Sequence, residues 1–355
     1  MVSLKTIAQA CGVSTATVSK ALNDQKDISD ATKERIRQTA ESLGYLPNAA
    51  ARALKTNHSY SLGVLFEEEA GMGLTHEYFS GVLNGFKLQA EKQGYDITFI
   101  NTCYESRRSY YEHCRYRNFE GVVIVCAGFN EPDVMELMNS DLPVVTIDYM
   151  HHNCTAVSAN NIKGMEVLLR YICGQGHRRI AYIHGQASSS VTKDRLVSFY
   201  RTMEEMGVEV PDEYVRAADY HETTEAARQT RELLRLPDPP TCILYPDDMA
   251  LIGGWNVIEE MGLKIPDDIS VAGYDGTKIS QLLHPRITTI DQNGEQIGMQ
   301  AAKRLIDIIE KPRTTLIERV VIEGKLVPGQ SVGHPASGRT GKVSNTNQQR
   351  RKARN

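Results

Sequence analysis

Between residues 62 and 310, short apolar runs rich in β-branched side chains alternate with stretches of helical periodicity, and that alternation leaves few folds open. The runs at 62–66 (LGVLF), 97–100 (ITFI), 122–126 (VVIVC), 144–147 (VVTI), 180–184 (IAYIH), 242–245 (CILY) and 270–273 (SVAG) are mostly apolar throughout instead of alternating. A strand that is apolar on both sides must be covered on both faces, which is the condition of a parallel sheet between two helical layers. Stretches near 77–93, 131–139, 161–174, 193–206, 222–234, 248–261 and 293–310 supply those layers. This is more βα chain than one doubly wound domain holds. The fold expected for residues 60–333 is therefore α/β, two Rossmann-like lobes with a cleft between them.

The first 44 residues follow different rules. Ser3 can cap a helix over 4–11, Gly12 and Val13 turn the chain, Ser14 caps a second helix over 15–23, and Ser29 caps a third that ends at Gly44. Ile7, Val18, Leu22, Ile36, Ala40 and Leu43 fall at helical spacing and can share one small core. Ala8 and Gly12 allow the close helix approach of a helix-turn-helix. Pro47 then forbids simple continuation, and Asn48 can cap a short helix over AAARALK. At about seven residues that segment is too short to be stable alone in water, so it is a hinge that orders only against a partner surface. Four parts are expected: an all-α N-terminal domain (1–47), a hinge helix and linker (48–59), a two-lobed α/β domain (60–333), and a disordered basic tail (334–355).

The net charge of −4 conceals an uneven distribution. Residues 1–58 carry +3 and residues 334–355 carry +6, leaving the middle at −13. A basic end on an acidic body suits a polyanion that meets that end only. Seven cysteines (Cys11, Cys103, Cys114, Cys126, Cys154, Cys173 and Cys242) are widely spaced, with no CxxC and no zinc-ligand spacing, and read as reduced thiols. His151 and His152 lack a third ligand at metal spacing and read as solvated loop residues. Asp247-Asp248 and Asp267-Asp268 stand where helix caps stand, and neither a Gly-rich phosphate loop nor G-x-S-x-G is present. The chain is thus expected to be neither an enzyme nor a cofactor carrier. Nothing approaches the roughly 18 apolar residues of a membrane span, and MVSLKTIAQA lacks a secretory core, so a cytoplasmic protein with no membrane partner is expected.

LKTIAQACGVSTATVSKALN, followed by ISDATKERIRQTAESLGYLPNAAARAL, resembles the headpiece of the lac-repressor (LacI/GalR) family, and the likeness continues through GHRRIAYIHG, LYPDDMAL, PDDISVAGYDG and ITTIDQN. The resemblance implies a transcription regulator, a repressor, with a periplasmic-binding-protein-like sensor. It implies a homodimer on a pseudo-palindromic operator, without the lac repressor's tetramer-forming coiled coil, since the tail has no heptad leucines. Thr15, Ala16 and Lys20 match positions that read operator bases, and Thr17 and Ser19 lie where a phosphate or base edge can be reached. Asn48 and Arg52 belong to the matching hinge, where Leu54 matches a leucine wedge in the minor groove. No DNA contact is assigned to position 5.

In the sensor, Arg195 matches a cleft arginine and Asp275 the aspartate of a G-Y-D motif. Asp148 follows a strand end, and Tyr78, Phe79 and Tyr220 can lie against the C–H face of a sugar. An arginine fork beside a carboxylate suits vicinal hydroxyls, so the effector implied is a small molecule, a sugar. Two positions depart from the pattern: Ser198 replaces the usual glycine before Phe199, and Pro246 replaces an asparagine that binds a ligand hydroxyl in many sugar-responsive relatives. The second departure leaves a nucleobase or another non-sugar metabolite open, with a sugar-binding transport protein as the remaining alternative for residues 60–333.

Overall fold

The computed structural model describes residues 2–46, 53, 58–67, 71–100 and 109–335, and the chain divides into two compact units between Tyr60 and Ser61. The N-terminal unit holds α1 (Leu4–Cys11), α2 (Thr15–Leu22) and α3 (Asp30–Ser42). Each begins on the expected serine. Ser3, Ser14 and Ser29 accept from the backbone N–H of Thr6, Thr17 and Thr32 at 3.3, 3.0 and 3.4 Å. Gly12 ends α1 with φ 65°, a left-handed conformation that a side chain would strain, and so turns the chain into α2. Ile7, Ala8, Val18, Ala21, Ile36 and Ala40 form the buried core. Leu43, expected there, is 37% exposed: α3 stops at Ser42, Gly44 reverses the chain at φ 67°, and Tyr45 packs against the core instead.

The second unit contains two parallel sheets. The first lobe is built on β1 (Ser61–Phe66), β2 (Asp96–Phe99), β3 (Gly121–Cys126), β4 (Val144–Ile147), β5 (Thr155–Ala159) and β11 (Arg319–Ile322), in the spatial order β11-β5-β4-β3-β1-β2. The second is built on β6 (Ile180–His184), β7 (Val215–Ala217), β8 (Cys242–Leu244) and β9 (Ser270–Ala272), in the order β7-β6-β8-β9. A short antiparallel pair, β10 (Thr289–Asp291) with β12 (Lys325–Val327), completes the strands. Helices of the first lobe are α4 (Glu77–Lys92), α5 (Tyr110–Arg117), α6 (Pro132–Met138) and α12 (Gly294–Glu310); those of the second are α7 (Asn161–Gly174), α8 (Ser190–Glu205), α9 (Thr223–Leu234), α10 (Asp248–Glu260) and the short α11 (Lys278–Leu282).

Backbone-to-backbone packing of α4 on α12 shapes the first lobe. A Cβ on Gly85 would stand 1.9 Å from the Glu295 carbonyl oxygen, and one on Gly298 1.8 Å from that of Val82, so neither position admits a side chain without separating the helices. Three crossings join the lobes, after β5, β10 and β11, and they run side by side. Asn160 N–H donates to the Ile322 carbonyl at 2.8 Å, and the Asn160 amide donates to Glu323 at 2.8 Å. Five strands (β5, β7, β10, β11, β12) and two helices (α5, α11) lie outside the runs expected from the sequence. Among the described residues no helix is long and apolar enough to cross a membrane.

Candidate functional site

On the N-terminal unit, Thr15 and Ala16 are exposed in the first turn of α2. Thr17 and Ser19 lie on the same helix, with Thr17 Oγ1 2.9 Å from the capping Ser14 hydroxyl. Lys20 donates its ammonium to the Asp27 carboxylate, and that bond holds Asp27 below the usual carboxylate range. Any phosphate reaching Lys20 must therefore compete with an ion pair already formed. Lys33 and Arg37 are likewise held by Asp24, at 3.1 and 2.9 Å. Lys5 is exposed on α1. The threonine of that turn is Thr6, whose hydroxyl lies 3.1 Å from that of Ser3 in the box that caps α1, so it serves the helix start and no base contact is drawn from it. Asn48, Arg52 and Leu54 lie outside the described residues, as does the tail beyond Pro335.

In the second unit the sensor candidates gather where strands end at the facing edges of the lobes. Asp148 follows β4 with φ 56°, and Asp275 follows β9 with φ 102°. Both conformations cost a non-glycine residue strain. Tyr78 donates to Asp148 Oδ2 at 2.6 Å and the Ala159 N–H to its Oδ1 at 3.2 Å. Gln292 donates to Asp275 Oδ1 at 2.6 Å. Arg195, on α8, is 2% exposed. Its Nε donates to Asn161 Oδ1 at 2.8 Å, its Nη1 to the Pro246 carbonyl at 2.9 Å, and its guanidinium carbon lies 3.6 Å over the Tyr274 ring and 5.9 Å from that of Tyr220. Tyr220 and Thr192 share a hydroxyl bond of 2.8 Å. Phe79 belongs less to this group than to a ring cluster with Phe66, His76 and Tyr78, at centroid distances of 5.6, 4.5 and 5.2 Å.

The lobes touch across this region. Ser190 donates to the Asp148 carbonyl at 3.0 Å, Lys278 N–H to Glu77 at 2.8 Å, and the rings of His76 and His221 meet at 3.9 Å.

The two departures from the family pattern acquire physical content here. Ser198 is fully buried and its hydroxyl is satisfied by the Ile162 carbonyl at 2.7 Å. Pro246 supplies no amide, but its carbonyl fixes the Arg195 guanidinium.

Several residues of the site carry no spacing signal in the sequence. Asn161, Tyr182 and Tyr274 read as a helix start and two core aromatics, yet each borders Arg195 or its partners. Asp247 caps α10 as expected and Asp248 is its first residue, and both do more. Asp247 accepts from Ala250 N–H at 2.7 Å and from His221 N–H at 2.9 Å. Asp248 Oδ2 accepts from the N–H and hydroxyl of Thr277 at 2.8 and 2.9 Å, fastening the turn that carries Asp275. Among the described residues no group of three His, Cys, Asp or Glu is placed to hold a metal ion.

Burial governs the acids. It pushes Asp148 upward against the Tyr78 and Ala159 donors, and pushes Asp248 well above the carboxylate range with help from Asp275. Asp275 is raised to about 6 by burial and by Asp247, although Arg195, His221 and Gln292 pull the other way. A carboxyl that binds its proton more tightly folded than unfolded loses stability as pH rises from its unfolded value, about 4, to its folded one, and carries the full penalty above that. Asp275→Asn keeps the acceptor for Gln292 and removes the charge. Its melting temperature minus that of the wild type is therefore expected to increase between pH 5 and pH 7. A difference independent of pH would place the Asp275 carboxyl in a solvated setting.

Comparison with known proteins follows the same division of the chain. Residues 3–48 match the family model of bacterial regulatory proteins, lacI family, and residues 169–332 that of a periplasmic binding protein-like domain. The HTH-type transcriptional repressor PurR of Vibrio vulnificus is 28% identical over 316 residues, covering 87% of this chain and 92% of that protein. Among solved structures, the lac repressor dimer bound to operator and the anti-inducer ONPF aligns with a TM-score of 0.77 at 23% identity, covering 94% of this chain and 99% of that one. The transcriptional regulator CelR in complex with cellobiose aligns with a TM-score of 0.67 at 24% identity, covering 93% and 100%. At these identities the two structures speak for the fold.

Proposed function

Given that the chain belongs to the lacI family of bacterial DNA-binding transcription regulators, we propose that it acts as a homodimer on a pseudo-palindromic operator, and that a small molecule, a sugar, held between the sensor lobes sets its operator affinity. The observation that carries the sensing half is that Arg195 of α8 lies within electrostatic reach of Asp148 and Asp275, which follow β4 and β9 at the facing edges of the two lobes. This is where doubly wound sheets receive ligands, and a guanidinium beside carboxyls offers donors and acceptors to vicinal hydroxyls.

The DNA-binding half rests on α2. Its exposed first turn brings Thr15 and Ala16 to base edges, with Thr17, Ser19 and Lys20 behind them. Residues 48–59 form the hinge in this reading. Asn48, Arg52 and Leu54 meet the minor groove there, and Leu54 parts a base step. In this reading the protein works in the cytoplasm, where its operator lies, and no turnover of the effector is assigned to it. A second reading, a flat nucleobase-like effector, is favoured by the Tyr220 and Tyr274 rings flanking Arg195 and by the missing amide at Pro246.

Selection of bound duplexes from a random pool by the purified chain tests the DNA half. Enrichment of one twofold-related sequence is expected, with log affinity falling linearly with log salt as phosphate contacts release counterions. Equal retention of all duplexes would overturn the assignment of α2.

A further inference from the structure

The acids and bases of the cleft are unevenly matched, and this bears on what the cleft can hold. The carboxyls of Asp148 and Asp275 both lie within electrostatic reach of the Arg195 guanidinium, and Asp247 lies near Asp275. From the geometry of that guanidinium and its acidic surroundings, we infer that the cleft takes an uncharged, hydroxyl- or amide-bearing effector and refuses phosphorylated and carboxylated metabolites. The inference rests on the reading of this cleft as the effector site and narrows its ligand class.

Three features carry it. Phosphates and carboxylates are gripped by arginine through paired N–H donors. In Arg195 the Nε of one fork is held by Asn161 and the Nη1 of the other by the Pro246 carbonyl, while Tyr274 covers one face, so each fork shares a donor nitrogen with the protein. The second feature is the helix N-termini, which otherwise attract anions. Those of α4 and α10 at the cleft carry the chain's own acids: Glu77 in the first turn of α4, and Asp247 and Asp248 as the cap and first residue of α10. The N-terminus of α8 is free of acid, but its Ser190 hydroxyl is engaged by the Asp148 carbonyl.

The third feature is an unmet polar group. Tyr182 is fully buried beside Tyr220, Arg195 and Tyr274, and its hydroxyl has no hydrogen-bond partner among the described residues. A buried hydroxyl without a partner is costly, and a ligand hydroxyl or amide satisfies it with no net charge brought in. An anionic group entering the cleft would also meet the Asp275 carboxyl, whose Oδ1 accepts from Gln292.

The test uses the full chain in a thermal-shift screen, followed by calorimetry on every compound that stabilises it. Each compound is present as a matched set: ribose with ribose 5-phosphate; glucose with glucose 6-phosphate and glucuronate; cellobiose and other neutral disaccharides with their phosphate esters; adenine with its nucleoside monophosphate. Uncharged members are expected to bind at least about tenfold more tightly than their anionic counterparts, the order of discrimination that like-charge juxtaposition produces. In Asp275→Asn that ratio is expected to shrink. A phosphorylated or carboxylated member that binds as tightly as its uncharged parent overturns the inference and leaves the effector site standing. A screen in which nothing stabilises the chain overturns the effector site itself, and the inference with it.

Discussion

An Ile36→Ala variant is expected to lose operator binding while its sensor melts at the wild-type temperature. Ile36 is fully buried at the centre of a core of six small and medium side chains. Truncating a buried isoleucine to alanine costs about 2–5 kcal/mol, because transfer energy is lost and a cavity remains. A core of this size rarely supplies more than about 3–5 kcal/mol in total. The loss therefore consumes most or all of the stability of the N-terminal unit, and an unfolded α2 presents no Thr15 or Ala16 to DNA. The sensor has its own core, so two transitions should separate in a circular-dichroism melt, with only the headpiece transition displaced. Operator affinity within about threefold of wild type would mean that α3 is not what holds α2 in place.

The second large effect is expected in the sensor. Arg195→Ala removes the donors to Asn161 and the Pro246 carbonyl, uncovers the Tyr274 face, and leaves Asp275 near Asp247 without the guanidinium that offsets them. Breaking a buried charged network by deleting one partner costs about 3–5 kcal/mol. In a unit of this size that lowers the melting temperature by roughly 2–4 °C for each kcal/mol. Effector binding should fall at least about a hundredfold, since a ligand bond to a charged donor contributes about 1.5–3 kcal/mol and the partners that orient the cleft are lost as well. Operator affinity of the effector-free protein should change by less than about threefold. Arg195→Lys separates charge from geometry. A lysine restores the positive charge but not the simultaneous hold on Asn161 and Pro246, so recovery of stability without recovery of binding is expected. Full effector affinity in Arg195→Ala would remove this residue from the site.

How much of this could be read in advance depended on how local the signal was. The headpiece was legible almost to the residue, because Ser3, Ser14 and Ser29 cap their helices and Gly12 turns the chain through contacts three or four residues away. Leu43 failed for the converse reason: helical spacing says nothing about where a helix stops, and α3 stops one residue earlier. In the sensor, β1, β3, β4 and β6 announce themselves as continuous aliphatic runs. The strand β5, TAVSA, is buried at every position, yet Val157 is its one aliphatic side chain larger than alanine, so no apolar run marks it. β11 and β12 belong to sheets whose other members lie far off in sequence, and pairing across such a distance leaves no period to detect.

The site shows the same limit. Arg195 and Asp275 were nominated through resemblance, but the groups that surround them come from elsewhere in the chain. Asn161 opens α7 at a lobe crossing, Pro246 ends the turn after β8, and Asp248 holds the Asp275 turn from α10. Tyr182 sits inside a strand whose pattern reads as core, and only the fold reveals its hydroxyl beside Arg195, unpartnered among the described residues.

A ligand in the cleft and an operator on α2 are expected to be thermodynamically linked. The direct measurement is a closed cycle at a single salt concentration: operator affinity of the full chain with and without saturating effector, and effector affinity with and without saturating operator. The two ratios must be equal, because coupling free energy is reciprocal, and a factor of about 5–150 in either direction is expected. Operator affinity unchanged at saturating effector would show the two sites to be uncoupled, whatever each binds separately.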